Sequence, residues 1–244
     1  MNDAILIEGV NYRYPDGKIA LNNINIKVEN NEAVGIIGAN GSGKTTLLLN
    51  LNGILRGEGL VSILGLEMTK TNLKEIRSKV GLVFQNPEDQ LFCPTVFEDV
   101  AFGLLNQGLD EAEVINKVDE ILSALELDGF KETISHHLSA GEKKRVALAT
   151  VLVMNPEILV LDEPTANLDP HSRRQLLKIL QGLNHTKIIA THDLELVLEL
   201  TEKTILLNKG EIKAAGKTKD ILSDKKLMEE NLLELPLSLA LKKH

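Results

Sequence analysis

Nine consecutive residues, Gly38-Ala39-Asn40-Gly41-Ser42-Gly43-Lys44-Thr45-Thr46, set the strongest limit on what this chain can fold into. They fit the P-loop pattern G-x-x-x-x-G-K-[ST], which has physical meaning only between a strand and a helix. The apolar run Ala33-Val34-Gly35-Ile36-Ile37 before it reads as a buried strand, and Leu47-Leu48-Leu49-Asn50-Leu51 after it reads as a helix. Glycines let such a loop turn tightly, so that successive N–H groups and the helix dipole face phosphate oxygens. Lys44 is placed to reach the β- and γ-phosphates and the Thr45 hydroxyl to ligate Mg²⁺. The pattern implies a site for a nucleoside triphosphate.

The 244 residues suffice for a substantial core in one domain or two, and 43% hydrophobic with 25% charged residues is ordinary globular composition. A net charge of −8 supplies no general attraction to nucleic acid, so none is expected as a partner. Cys93 is the single cysteine and cannot close an internal disulfide, which fits a reducing, cytosolic compartment. Met1-Asn2-Asp3-Ala4 carries neither a positive flank nor a long apolar segment, so no signal peptide is read there. No run approaches the length of a membrane span, and any membrane role is expected to be peripheral.

In chain order, Ala4 to Val10 reads as a strand and Pro15-Asp16-Gly17 as a turn. Leu21 to Val28 alternates, with Ile24, Ile26 and Val28 on one face, as in a half-buried antiparallel strand. A loop over Gly53 to Gly59 and a strand over Leu60 to Leu64 complete an antiparallel β-rich element. Val80 to Phe84 is a strand closed by Gln85-Asn86-Pro87. From about Glu88 to Asn155 the signals are helical, including Val114, Val118, Ile121, Leu122 and Leu125 on one face behind Asp110 and Glu113. Ser139 and Glu142 form a capping box for the next helix, which is apolar nearly all round. Ile158 to Leu161 suits the centre of a parallel sheet and ends in Asp162-Glu163. Asp169-Pro170 caps a helix over His171 to Leu183, Lys187 to Thr191 is a strand followed by His192, and Thr204 to Leu207 pairs with Ile212 to Ala214. In the tail, Leu235, Leu237, Leu239 and Leu241 alternate with other residues, read either as a segment folded back on its domain or as an interface.

Ligands of α/β sheets bind at the carboxyl ends of strands, and several polar residues fall there. Asp162 can hold Mg²⁺, and Glu163 can orient and activate an attacking water. His192 shares that rim and can meet a γ-phosphate or the water. Gln85 can offer an amide oxygen to Mg²⁺ or water. The helix opened by Ser139, with small Ala140 and Gly141, is either simply well capped or a seat for a γ-phosphate, and local physics leaves both open.

Together these motifs resemble the ATP-binding subunit of ABC transporters over nearly the whole chain. Gly38 to Thr45 matches Walker A, and Ile158 to Glu163 matches Walker B with its catalytic glutamate. Leu138-Ser139-Ala140-Gly141-Glu142 resembles the signature motif, with Ala140 where the family usually has glycine. Gln85 falls at the Q-loop, Asn167-Leu168-Asp169 at the D-loop, His192 at the switch histidine, and Tyr14 where the family stacks an aromatic on adenine. Gln85 to Phe92, Pro94 to Val96 and Glu98 to Gly103 resemble energy-coupling-factor (ECF) transporters, and among them the cobalt and nickel uptake ATPases.

The resemblance implies an α/β P-loop NTPase core with an antiparallel β subdomain and an inserted helical subdomain. One ATPase domain is expected over 1–223, with its core at 1–86 and 157–223, its helical part at about 87–156, and a separate tail at 224–244. It implies ATP and Mg²⁺ as cofactors and hydrolysis that uses Glu163, His192 and Gln85. Thr45, Gln85 and Asp162 would hold the metal. Tyr14, Gly38 to Thr46 and Asp169 would contact nucleotide, as would Ser139, Gly141 and Glu142 from a second ATPase subunit facing head to tail. A membrane transport protein would dock near Gln85 to Phe102 and bind the metal cargo, so His136 and His137 are read as structural or surface residues. The expected location is the cytoplasmic face of the membrane. An importer of another substrate, such as a vitamin, and a soluble ABC ATPase acting on nucleic acid or ribosomes remain as alternatives.

Overall fold

Strand β3 (Ala33–Ile37) lies inside a six-stranded sheet because its five residues leave no polar side chain to solvate. The computed structural model describes residues 3–241. Met1 and Asn2, and Lys242 to His244 at the end of the leucine-rich tail, lie outside the described residues. The sheet runs β10-β9-β3-β8-β7-β6, with β6 (Val80–Val83), β7 (Ile158–Asp162), β8 (Thr186–Ala190), β9 (Lys203–Asn208) and β10 (Glu211–Lys217). All neighbours are parallel except the β9–β10 pair at one edge. Central strands read as continuous apolar runs because both faces are covered. Along β7, Ile158 and Val160 enter one core while Leu159 and Leu161 enter the other.

The second sheet is antiparallel, in the order β2-β1-β4-β5: β1 (Asp3–Arg13), β2 (Ile19–Glu29), β4 (Glu58–Ile63) and β5 (Leu66–Glu67). Helix α1 (Lys44–Leu51) packs Leu47, Leu48 and Leu51 into the core shared by the two sheets. Leu64, read from the sequence as strand, instead has φ +51 in the turn between β4 and β5. Helix α2 (Leu73–Lys79) escaped the sequence reading. It has two turns and buries one residue, Ile76, too little for a periodic signal.

Residues between the adjacent strands β6 and β7 form the helical part: α3 (Val96–Asn106), α4 (Glu111–Ala124) and α5 (Ala140–Leu152). Val100, Leu104, Val114, Val118, Leu122, Val146 and Leu148 meet in one core that continues onto β7 and β8. Helices α6 (Pro170–Gly182) and α7 (Leu194–Leu200) close that face of the sheet. Strand β8 stops at Ala190, so Thr191 lies beyond the strand in which the sequence placed it.

After β10 come α8 (Thr218–Ser223), α9 (Lys225–Glu230) and α10 (Leu237–Ala240). The tail leucines do not follow strand alternation. Leu235 and Leu239 pack on a third core around fully buried Met228, while Leu237 and Leu241 are exposed.

Candidate functional site

The parallel strands β3, β8 and β7 are neighbours, and their register brings their carboxyl ends to one level, with Ile36 and Asp162 both opposite Ala190. The loops after these strands therefore converge, though Gly38 and Glu163 lie 125 positions apart in sequence. Between them lies a cavity of about 400 Å³, lined by Tyr14, Asn40, Gly41, Gly43, Lys44, Thr45 and Thr46, and also by Gln85, Asp162, Glu163 and His192. Lys18 and Ala20 of the β2 region line it too. No local signal marks those two; Gly210, in the turn between β9 and β10, links this region to the loop, accepting from the Asn22 N–H at 2.8 Å and donating to the Ser42 carbonyl at 2.9 Å.

The loop has room for little beyond backbone. A Cβ on Gly38 would lie 2.1 Å from the Leu207 carbonyl oxygen, and one on Gly43, at φ +109, would lie 2.5 Å from that of Ala20. Gly43 occupies the N-cap of α1 and offers no side chain to the first-turn N–H groups. The N-caps of α3 to α7, by contrast, all accept from such groups through Thr95, Asp110, Ser139, Asp169 and Asp193. The N-terminus of α1 is thus left to bind an anion. Buried Lys44 donates from Nζ to the carbonyls of Gly38 (2.8 Å) and Ala39 (3.3 Å). Burial lowers its pKa, opposed by the nearby Glu163 and Asp162 carboxylates. Ser42 lies beneath the loop, buried, its N–H on the Ala39 carbonyl.

Thr45 Oγ1 donates to Asp162 Oδ2 at 2.8 Å, while Asp162 Oδ1 is buried with no hydrogen-bond partner. Burial raises the pKa of this carboxyl; the Thr45 hydrogen bond opposes that and the Glu163 charge adds to it. A hydroxyl and an orphaned carboxylate oxygen side by side form a hard-oxygen donor set that fits Mg²⁺. Gln85 is exposed at the cavity edge, with its amide available to the same region.

Glu163 is 6% exposed and its carboxylate accepts from two donors. Thr191 Oγ1 lies 2.8 Å from Oε2 and the His192 N–H 3.1 Å from Oε1, while the His192 ring approaches with Nδ1 2.9 Å from Oε2. Thr191 was missed because a fully buried threonine after a strand reads as core. The backbone of Glu163 is at φ +44, uncommon for a residue with a side chain.

Tyr14 donates to or accepts from Thr46 Oγ1 at 2.9 Å and packs edge-on against Tyr12. The remaining candidates stand apart from this cavity. Ser139 and Glu142 form a reciprocal capping box at the start of α5, with Ser139 N to Glu142 Oε2 at 2.7 Å. Ser139 and Ala140 are exposed, and Gly141 is small because a Cβ there would meet Ser172 Oγ at 2.5 Å. Asp169 caps α6, accepting from the N–H groups of His171 and Ser172.

The ABC transporter family profile matches residues 21–166. An energy-coupling factor transporter ATP-binding protein EcfA of Methanothermobacter thermautotrophicus is 48% identical over 238 residues, 95% of this chain and 76% of that protein. The solved structure of cbiO1 from Clostridium perfringens, described as part of the ABC transporter complex cbiONQ, is 36% identical, with a TM-score of 0.84 and full coverage of both chains. The ATP-binding cassette MJ0796, solved as a dimer in a post-hydrolysis state with ADP and Pi, is 30% identical, with a TM-score of 0.80 over 88% of this chain and 98% of that one. A matched profile over more than half the chain, carried on a fold that brings the P-loop, Gln85, Asp162, Glu163 and His192 to one cavity, places this chain in the ABC transporter family as an ATP-binding ATPase.

Proposed function

We propose that this chain is the ATP-hydrolysing subunit of an ECF-type importer for cobalt or nickel ions. The observation that carries the catalytic part is the shared cavity of Lys44, Asp162, Glu163 and His192. The ECF type rests on likeness to EcfA, and the metal cargo on the resemblance of the residues from Gln85 to Gly103 to cobalt and nickel uptake ATPases.

In this reading the triphosphate enters along the N-terminus of α1 and Lys44 turns from its loop carbonyls to the phosphates. Tyr14 stacks on adenine. Thr45 and Asp162, with Gln85 at the edge, would hold Mg²⁺, which would neutralise phosphate charge. Glu163, aimed by Thr191 and the His192 N–H, takes a proton from water as the water oxygen bonds to the γ-phosphorus. The bond to the bridging oxygen breaks and ADP leaves with its electron pair. His192 steadies the departing phosphate.

Ser139, Gly141 and Glu142 lie outside the cavity of their own chain, at the start of α5, where Ser139 is exposed, Glu142 half-buried and Gly141 buried against Ser172. That placement supports a head-to-tail dimer in which they, and the Asp169 loop, serve the partner's nucleotide. The dimeric MJ0796 structure is in keeping with this. Phe92 and Phe102, 66% and 47% exposed and packed edge-to-face at 5.0 Å, form an apolar patch beside α3 that suits docking of a membrane subunit. Among the described residues no helix is long and apolar enough to cross a membrane. In the proposed importer the chain attaches peripherally at the cytoplasmic face, through its membrane subunit.

The test is co-expression with candidate ECF-type membrane subunits from the same organism, followed by isolation of the intact complex and uptake of radiolabelled cobalt and nickel. ATP-dependent uptake of either ion supports the assignment. A complex that moves only an organic vitamin shifts the cargo, and co-sedimentation with ribosomes without a membrane partner overturns it.

A further inference from the structure

Lys144, 4% exposed in the middle of a helix, lies outside the machinery described so far. Its Nζ donates to the carbonyl of Gln85 at 2.7 Å and to the carbonyl of Glu163 at 3.0 Å. One ammonium therefore bridges the loop after β6 and the residue after β7, and it does so from α5, the helix whose end carries Ser139.

The loop is fastened to α5 on both sides of this bridge. Lys143 Nζ meets Glu88 Oε1 at 2.8 Å. Gln90 Nε2 donates to the Ala147 carbonyl at 2.8 Å and to Thr150 Oγ1 at 2.7 Å. Residues 85–90 thus ride with α5, and Lys144 joins that unit to the core. It does so at Glu163, whose left-handed backbone persists only where its surroundings hold it. The Glu163 N–H bonds the Ala190 carbonyl at 2.8 Å, and its carbonyl also accepts from Ala166 N at 3.2 Å. Burial brings the Lys144 pKa down to about 8, with the Asp162 and Glu163 charges acting against it.

We infer that Lys144 is a positioning residue that sets the backbone, and so the carboxylate aim, of Glu163 according to how α5 and the Gln85 loop sit on the core. The inference rests on the reading of Glu163 as the catalytic base. Through this bridge, engagement of the α5 end by a second subunit's nucleotide reports to the chain's own water-activating group. Lys144 touches no substrate in this arrangement. Its loss acts on turnover and leaves nucleotide affinity alone.

The experiment is single-turnover and steady-state ATP hydrolysis by the full-length chain with Mg²⁺, for wild type, Lys144→Met, Lys144→Gln and Lys144→Arg. Nucleotide affinity and thermal melting are measured alongside. Methionine keeps length without donors, and a misaimed base costs about a hundredfold in kcat. KM and ATP affinity should stay within about twofold of wild type, a change small beside the tenfold that 1.4 kcal/mol represents. Glutamine reaches one carbonyl and should fall between. Arginine keeps donors for both and should recover most of the rate. Unchanged single-turnover rates across the set, or losses that track only ATP affinity or folded fraction, overturn the inference. Glu163→Gln run in parallel separates the two claims. If that variant turns over at the wild-type rate, the base assignment has failed. If it is inactive beside a fully active Lys144→Met, the positioning role alone is lost.

Discussion

Thr45 and Asp162 are joined by a 2.8 Å hydrogen bond that spans 117 positions of sequence and links the first turn of α1 to the end of β7. The bond uses one oxygen of Asp162 and leaves the other buried and unpartnered, a geometry a hard cation would complete. Asp162→Asn should therefore raise the Mg²⁺ concentration needed for half-maximal hydrolysis by about 10–100-fold. Metal titrations at saturating ATP measure this, and an unshifted midpoint removes Asp162 from the metal site.

Glu163→Gln keeps the shape that Thr191 and His192 surround but cannot take a proton. Hydrolysis should fall by about 10²–10⁴-fold, the usual worth of a positioned base, while ATP affinity stays near wild type. ATP-dependent dimers should then persist on size exclusion. Turnover at the wild-type rate would reassign the base.

Lys44→Ala removes the ammonium that rests on the Gly38 and Ala39 carbonyls. A charged hydrogen bond to phosphate is worth about 1.5–3 kcal/mol, so ATP dissociation constants should rise by about one to two decades. Fluorescent-nucleotide titration would show this; an unaltered constant would remove Lys44 from phosphate contact.

Beside His192, Asp193 receives Arg173 Nε at 2.9 Å and Nη2 at 3.2 Å, together with the Leu196 N–H at 3.0 Å and Thr165 Oγ1 at 3.2 Å. Burial alone would raise its pKa, but these donors bring it below the ordinary value. With the folded pKa depressed, the unfolded chain takes up the proton first as acid is added. The stabilisation is complete above about pH 3.9 and is lost as pH falls through the folded value. Asp193→Asn should flatten that part of the acid-unfolding curve, followed by circular dichroism. An unchanged slope would show that the pairing adds no pH dependence.

Truncation before Asp224 deletes Met228, fully buried in the third core, and the 2.9 Å bond between the Asn208 and Asn231 side chains. Loss of one such buried side chain costs about 2–5 kcal/mol. The shortened chain should melt well below the full-length protein in calorimetry. Equal melting temperatures would leave the exposed Leu237 and Leu241 as the more useful part of the tail.

By itself the sequence determined the elements whose character is local. The P-loop declares itself because tight turning and phosphate approach restrict residue type at each step. The apolar run of β7 declares itself because a strand covered on both faces tolerates nothing polar, and the caps at Asp110 and Ser139 because they satisfy backbone within four residues. Relations between distant segments were decided by the tertiary structure. The order β3-β8-β7 brings Lys44, Glu163 and Thr191 to one rim, and no local pattern encodes which strands lie side by side. Lys144 shows the same limit most clearly. Among the charges of Gly141-Glu142-Lys143-Lys144-Arg145 it reads as one more solvated lysine, and only the packing of α5 on the core turns it inward onto two carbonyls. A hydrogen bond depends on position in space, and for residues far apart in the chain that position belongs to the fold as a whole.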